Sequence, residues 1–355
     1  MPESPLKATH ESLGASFTDF GGWIMPLKYG SELEEHRAVR EDVGIFDLSH
    51  MGEIDVTGPD AGAFLDYTLI SSISNLKVGK AKYSMIVDEN GGVLDDLITY
   101  RLAEDHFLVV PNAANTDTVW LSFEARAANF DVTLANRSEE LGLVAVQGPR
   151  ALEVIDPLLD GSPAELPYYS AAQMTLDGVD VIVARTGYTG EDGFELIAAT
   201  GDTRKVWDAV IGSGTPCGLA SRDSLRLEAA MPLYGHELTA DITPVEAGMG
   251  RAYAKKEADF VGKAALSGRE ASVVIAGLTS SQRRAAREGA EVFLGEERIG
   301  VVTSGQPSPT LGYPVALAHV SPEHAEVGTE VEIDIRGRRY PFTISETPFY
   351  TRKDA

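Results

Sequence analysis

The sequence predicts an α+β chain of two or three domains that closes with a small β-barrel or sandwich, and three observations carry this reading. At 355 residues the chain exceeds what one core of ordinary size can organise. A strand, a Gly-Pro corner and a helix occur at Gly58-Pro59 and again at Gly148-Pro149, 90 positions further on. From Val273 onward the texture changes to short strands broken by Gly295, Gly300, Gly305, Gly312, Gly328 and Gly337, the pattern of a small closed or sandwiched sheet. A hydrophobic content of 43% with 35 glycines and 18 prolines fits a globular protein rich in strands and turns.

Each element has a local reason. Ser31-Glu32-Leu33-Glu34 has capping-box spacing and opens a helix that should stop near Gly44. Ile54 and Val56 alternate as a strand up to Gly58-Pro59, after which Ala61 to Ile70 reads as a helix. Leu143 to Val146, Gly148-Pro149 and a helix from Ala151 to Leu159 repeat that order. Each copy is followed by an apolar strand, a glycine-containing turn and a return strand that opens with acid. These hairpins are Tyr83–Val87 with Asp95-Asp96, and Val179–Ala184 with Glu195. A degenerate internal duplication or the chance recurrence of a common corner both produce such a pattern. Asp202 caps a helix whose Val206, Trp207, Val210 and Ile211 share one face, and Ser221 caps the next. Leu266-Ser267-Gly268-Arg269 reads as the linker to the last domain.

Bulk charge and composition remove several function classes. A net charge of −24 argues against nucleic acid and anionic membranes, since both need basic faces. No run approaches the ~18 apolar residues of a membrane span. Met1 to Leu13 is polar, with neither an apolar signal core nor an Arg-rich transit pattern. With one cysteine, Cys217, no internal disulfide forms, and a cytoplasmic, bacterial setting is expected. Seven scattered histidines without ligand spacing argue against a metal site, and no GxSxG, Walker A or GxGxxG motif is present. Metal, flavin and nicotinamide are therefore not expected, and the chemistry has to come from a substrate or free co-substrate.

Two places concentrate chemistry. Arg185-Thr186-Gly187-Tyr188-Thr189-Gly190-Glu191-Asp192-Gly193-Phe194-Glu195 sets three glycines, a tyrosine and three acids between two strands. A surface hairpin is one reading. The other is a carboxylate at the hairpin mouth gripping a ring with paired N–H donors, such as a pterin edge. The second place is Asp95-Asp96. Strand periodicity puts Asp96 on one face with Leu94, Ile98 and Tyr100, and Asp95 on the other with Leu97 and Thr99. A carboxylate on an apolar face is costly to bury unless it is paired or working. Arg222, Arg226, Arg251, Lys255 and Lys256 are local counterweights available to an anionic ligand.

The motif set as a whole resembles one family in one order. It comprises Asp19-Phe20-Gly21-Gly22-Trp23, Gly91-Gly92-Val93-Leu94-Asp95-Asp96-Leu97, the glycine-rich hairpin, Arg222-Asp223-Ser224-Leu225-Arg226-Leu227-Glu228-Ala229, Thr243-Pro244-Val245-Glu246-Ala247-Gly248 and Val302-Thr303-Ser304-Gly305. It is similar to the aminomethyltransferases, the T-proteins of the glycine cleavage system, nearly end to end. The resemblance implies a multidomain cloverleaf of antiparallel sheets with flanking helices, plus a C-terminal small β-barrel or jelly-roll-like domain. Residues 1–50 and 140–265 would form a discontinuous first domain with the folate-binding hairpin, 51–139 a second carrying Asp96, and 272–355 the barrel.

The implied reaction moves a methylene carbon from the aminomethyl-dihydrolipoyl arm of H-protein to tetrahydrofolate, with release of ammonia. Tetrahydrofolate is the implied co-substrate and lipoylated H-protein the implied partner. By the same resemblance Asp96 is the catalytic acid beside the folate nitrogens. Glu195, Arg222, Tyr188, Met51, Asn112, Tyr100, Tyr168 and Tyr350 are implied folate contacts. His236-Glu237 departs from the family's more usual Asn-Asp. Two relatives of the same superfamily fit less well. A folate-binding iron–sulfur repair protein carries Lys-Gly-Cys at the loop where this chain has Thr186-Gly187-Tyr188. A sarcosine or dimethylglycine oxidase subunit needs a flavin domain.

Overall fold

Two open sheets, one closed barrel and a short ribbon make up the computed structural model, which describes residues 1–352. Helix α1 (Lys7–Ser12), a ribbon of β1 (Ser16–Phe20) and β2 (Trp23–Lys28), helix α2 (Glu32–Glu41) and β3 (Gly44–Asp47) come first. The α2 cap is as expected, with Ser31 Oγ accepting the Glu34 N–H at 3.4 Å. There follow β4 (Ile54–Thr57), α3 (Ala61–Thr68), β5 (Ala81–Val87), β6 (Val93–Ala103), β7 (His106–Pro111), α4 (Thr116–Arg126) and β8 (Thr133–Asn136). These strands pair antiparallel in the order β5-β6-β7-β4-β8.

The same sequence of elements then recurs as β9 (Leu141–Gln147), α5 (Ala151–Ile155), β10 (Ala171–Leu176), β11 (Val179–Ala184), β12 (Gly193–Ala199), α6 (Thr203–Ile211) and β13 (Thr215–Pro216). Their sheet runs β10-β11-β12-β9-β3-β13, the first order with β3 inserted. Both Gly-Pro corners need glycine for one reason. Gly58 has φ +121° and Gly148 φ +134°, and a Cβ there would meet the carbonyl oxygens of Asp131 and Asp42 at 2.6 and 2.4 Å.

The two sheets also join reciprocally. The Ala81 N–H donates to Tyr169 O and the Ala171 N–H to Gly79 O, each at 2.9 Å. Arg101 N–H donates to Lys80 O (3.0 Å) and Arg185 N–H to Ser170 O (2.8 Å). Such reciprocity is what a local two-fold axis at the Lys80–Ser170 bridge produces. It also corrects the hairpin correspondence: β5–β6 matches β10–β11, so the strand of Asp96 matches β11 and Glu195 lies one strand further on. The half-exposed β10 has no apolar run to announce it.

One face of the second sheet packs Val144, Val146, Phe194 and Leu196 against Val206, Trp207 and Val210 of α6. The first sheet packs Ile54, Val56 and Val109 against Phe64, Leu65 and Phe123 in the same manner. Their other faces share a cluster that includes Phe46, Tyr100, Leu108, Leu143, Ala184 and Ile197. Helix α7 (Leu219–Glu228) lies over this junction and starts one turn earlier than expected. Gly218, not Ser221, is its N-cap, and the position is glycine because a Cβ there would meet Leu27 O at 2.2 Å. Ser221 Oγ donates to Gly218 O instead, at 2.8 Å. Asp202 is the N-cap of α6 but makes no side-chain cap bond, and its carboxylate pairs with Lys205 at 2.7 Å.

After α8 (Lys263–Leu266) come β14 (Val274–Thr279), β15 (Glu291–Leu294), β16 (Glu297–Pro307), β17 (Pro314–Val320), β18 (Glu330–Asp334) and β19 (Arg339–Ser345). They close as β14-β17-β16-β15-β18-β19, and the β14–β19 pairing makes this a barrel and not a sandwich or jelly roll. Two buried ionic clusters fasten the barrel to α7. Glu228 accepts from Arg40 Nη2 (2.9 Å) and Thr310 Oγ1 (2.7 Å), and also from Ser308. Arg226 donates to Glu237 (2.9 Å) and Ser304 (2.8 Å).

Candidate active site

Where the inner faces of the two sheets, α7 and the β1–β2 ribbon converge there is a cavity of about 520 Å³. Strand periodicity brings Asp96, Ile98 and Tyr100 of β6 to its wall, and Tyr83 of β5 stands beside them. The Asp96 carboxylate is held at both oxygens. Tyr83 Oη donates to Oδ2 and Asn112 Nδ2 to Oδ1, each at 2.9 Å. Burial lifts Asp96 to about 6 despite these two bonds, so it titrates close to neutrality, where a carboxylate is useful as a base.

Glu195 of β12 faces the cavity from the other sheet. Its cross-strand neighbours Ala184 and Ala145 are small, which leaves the carboxylate uncovered from the side. Tyr100 Oη reaches across from the first sheet to Glu195 Oε2 at 3.3 Å, and the Thr186 hydroxyl donates to the same oxygen. Both bonds fall on Oε2, so Oε1 keeps its acceptor capacity.

The glycine-rich hairpin folds over one amide. Gln147 Nε2 donates to Thr186 O (3.1 Å) and Thr189 Oγ1 to Gln147 Oε1 (2.9 Å). A Cβ on Gly187 or Gly193 would meet that amide at 2.1 or 2.4 Å, which is why both positions are glycine. The acids around it separate by task. Glu191 pairs with Arg40 (2.9 Å) and Asp192 with Arg185 (2.6 Å), leaving Glu195 alone at the cavity.

Arg222 supplies the positive charge. It shares a helix face with Leu219, Asp223 and Arg226 on the cavity wall. Its Nη1 is buried with no hydrogen-bond partner among the described residues, and its carbon Cζ lies 5.1 Å from the Tyr188 ring centre. The neighbouring Asp223 pairs with Arg226 and not with Arg222 (2.8 Å). Burial lowers the Arg222 proton affinity, with Glu195 and Tyr188 opposing. An unpaired, partly desolvated guanidinium in a cavity calls for an acceptor from a ligand. Of the other basic residues considered, Arg226 lines the cavity but is engaged by Glu237, and Lys256 donates to the carbonyls of Asp66, Leu69 and Ser71 elsewhere.

Asp96, Glu195, Arg222, Tyr188, Met51, Asn112 and Tyr100 all line this one cavity. Tyr168 and Tyr350 do not. Tyr168 is 47% exposed and meets the Tyr169 ring edge-on, and Tyr169 holds the wall position instead. Tyr350 lies under Arg40, 3.9 Å from guanidinium carbon to ring centre. The wall further includes His236, noted above only as a departure from the family pattern, and His50, Tyr83 and Tyr234, which sequence reasoning did not single out as site residues. Tyr83 opens the first predicted hairpin and was findable by its face. A lone histidine such as His50 carries no such signal. Burial lowers His50 to about 4, Asp47 opposing and Arg222 assisting, so the ring is neutral near pH 7, and its Nδ1 has no partner among the described residues. Among the described residues no cluster of three or more His, Cys, Asp or Glu side chains is disposed to hold a metal, and no helix is long and apolar enough to cross a membrane.

A cavity between two related sheets, with an acid of raised proton affinity on one wall and a partly free carboxylate plus an unpaired arginine on others, defines an enzyme that handles a polar ring-sized substrate. Residues 6–257 match the family described as GCVT N-terminal domain, and 274–351 the Glycine cleavage T-protein C-terminal barrel domain. The chain is 59% identical to the aminomethyltransferase of Corynebacterium aurimucosum over 98% of both chains. It is 51% identical to that of Corynebacterium jeikeium over 99% of both. The crystal structure of glycine cleavage system aminomethyltransferase T from Bartonella henselae superposes with a TM-score of 0.93 at 38% identity, covering 99% of this chain and 98% of that one. The chain belongs to the aminomethyltransferase family of the glycine cleavage system, and its activity is that of a transferase.

Proposed function

We propose that the cavity binds tetrahydrofolate and that the one-carbon unit arrives on the aminomethyl-dihydrolipoyl arm of H-protein, ammonia leaving as the carbon is transferred. The observation that carries this reading is the presence of Asp96 and Glu195 on different walls of one 520 Å³ space. Glu195, with Oε1 free, accepts paired N–H groups of the pterin edge. Arg222 satisfies its Nη1 on an acceptor of the same ligand. Tyr100, Tyr188, Asn112 and Met51 shape the walls, and Tyr169 takes the part expected of Tyr168. Tetrahydrofolate supplies the nitrogen nucleophile. Asp96, held by Tyr83 and Asn112, orients that nitrogen, stabilises passing positive charge and accepts the proton released when the carbon is bound. Positioning and electrostatics carry most of the catalysis, because the aminomethyl thioether expels its thiolate readily.

The domain limits 1–50 with 140–265, 51–139 and 272–355 are supported by sheet membership, since β3 joins the second sheet. A cytoplasmic setting is supported by the lone, buried Cys217. The test is a single turnover with aminomethyl-loaded lipoyl H-protein and tetrahydrofolate. Ammonia and methylene-tetrahydrofolate should appear together at a rate set by enzyme concentration. Ammonia release no faster than without enzyme rejects the function.

A further inference from the structure

Behind the wall that carries Asp96 lies a second acid with no part in the chemistry above. Asp95 is fully buried, at 0% exposure, on the opposite face of β6. It accepts the backbone N–H of Asn112 (2.9 Å), the Asn112 side-chain amide (2.9 Å) and the Asn115 side-chain amide (2.6 Å). The Asn112 amide has two hydrogens and three oxygens at 2.9 Å: Asp95 Oδ1, Asp96 O and Asp96 Oδ1. One amide thus wraps the strand and holds both acids. Among the described residues neither carboxylate has an ion-pair partner, whereas the buried Glu237 beside the cavity has Arg226. The titratable groups facing the pair are Tyr83 of β5, Tyr169 before β10, Tyr188 in the hairpin turn and Tyr234 after α7, all phenols. Two adjacent carboxylates without a cation destabilise a chain of net charge −24, so the arrangement calls for a working role.

We propose that Asp95 is a positioning residue for the transfer reaction: through Asn112 it aims the Asp96 carboxylate into the cavity. The proposal rests on Asp96 being the reacting acid. The three donors to Asp95 favour its ionised form and so oppose the effect of burial. Burial raises Asp95 to about 7, with the Asp96 charge adding to it, and burial raises Asp96 to about 6. The two groups therefore titrate as a coupled pair.

The test is the pH profile of kcat/KM for the wild type, Asp95→Asn and Asp96→Asn, with tetrahydrofolate affinity measured separately by calorimetry. Asp95→Asn removes one of the two coupled ionisations, so the acid limb of the profile should simplify to a single titration. Turnover should fall roughly tenfold to a hundredfold as Asp96 loses its aim, with tetrahydrofolate affinity changed less than about twofold. An unchanged limb and rate in folded Asp95→Asn overturns the proposal while leaving the reading of the site intact. Near-wild-type turnover in Asp96→Asn overturns both. Should Asp95→Asn not fold, Asn115→Ala removes the 2.6 Å donor to Asp95 without touching Asp96 or the cavity wall. It takes away a donor that fixes Asp95 and so loosens its hold on Asn112; turnover should fall with tetrahydrofolate affinity unchanged, and wild-type turnover defeats the proposal.

Discussion

Arg222 stands on the cavity face of α7 with Nη1 buried and unpartnered among the described residues, so the ligand-free protein carries a desolvation cost that Glu195 and Tyr188 offset only in part. Arg222→Met should therefore act in opposite directions on two measurements. Thermal unfolding without ligand should shift upward, because an unpaired guanidinium has been replaced by an apolar stem of similar reach. Tetrahydrofolate affinity by calorimetry should fall by about 1.5–3 kcal/mol, the value of a hydrogen bond to a charged group. Loss of stability with unchanged affinity would make Arg222 a packing residue. Asp96 was legible at this scale because strand periodicity puts one carboxylate on an apolar face. Arg222 was legible only as a cation near the start of a helix, and the missing partner that gives it meaning is a fact of the third dimension. His50 was invisible, since nothing in Leu48-Ser49-His50-Met51 tells that the ring is buried beside a guanidinium. Tyr168 and Tyr169 are adjacent, and only the backbone conformation decides which ring reaches the wall; Tyr169 has φ +58°.

At the scale of elements, the paired Gly-Pro corners are the best-specified features of the chain. Gly148→Ala would force a Cβ to 2.4 Å from Asp42 O at φ +134°. It should destabilise by about 1–3 kcal/mol or more, measured by denaturant unfolding. Gly212→Ala, at the end of α6 with nothing within 4 Å and φ −66°, should stay within about 0.5 kcal/mol of wild type. Equal effects would remove the corner argument. The strand–corner–helix order was readable twice because apolar alternation, Gly-Pro and helical spacing all agree there. The pairing of hairpins was misread, because β10 is an edge strand whose Ala171-Ala172-Gln173-Met174 offers no run to detect. The hairpin acids looked like one cluster, and the arginines that claim Glu191 and Asp192 come from Arg40 and the adjacent Arg185. The Arg40–Glu191 pair spans 151 positions and leaves no local trace.

For the whole molecule, the barrel is held against α7 by buried charge. Burial alone would raise Glu228, but His36, Ser308 and Arg40 outweigh it and hold the carboxyl at about 2. Its folded value lies below the ordinary 4.5, so its contribution to stability is complete above about pH 4.5 and is lost as pH falls toward 2. Glu228→Gln leaves Arg40 and His36 around a neutral amide and should cost about 3–5 kcal/mol near pH 7, the difference from wild type shrinking in acid. Chemical denaturation across pH checks this, and a difference that grows in acid would contradict it. The closing barrel was legible in glycine spacing, whereas the meeting of two sheets and a helix around one cavity was not. That convergence underlies the central claim, that Glu195 holds the ligand while Asp96 acts on it. The direct measurement pairs turnover with tetrahydrofolate calorimetry for Asp96→Asn and Glu195→Gln. Asp96→Asn should lose about 10²–10⁴ in rate with affinity nearly unchanged. Glu195→Gln should lose about 2–3 kcal/mol of tetrahydrofolate binding. Unchanged affinity in folded Glu195→Gln, or a loss of affinity in Asp96→Asn as large as its loss of rate, would contradict the division of labour between the two acids.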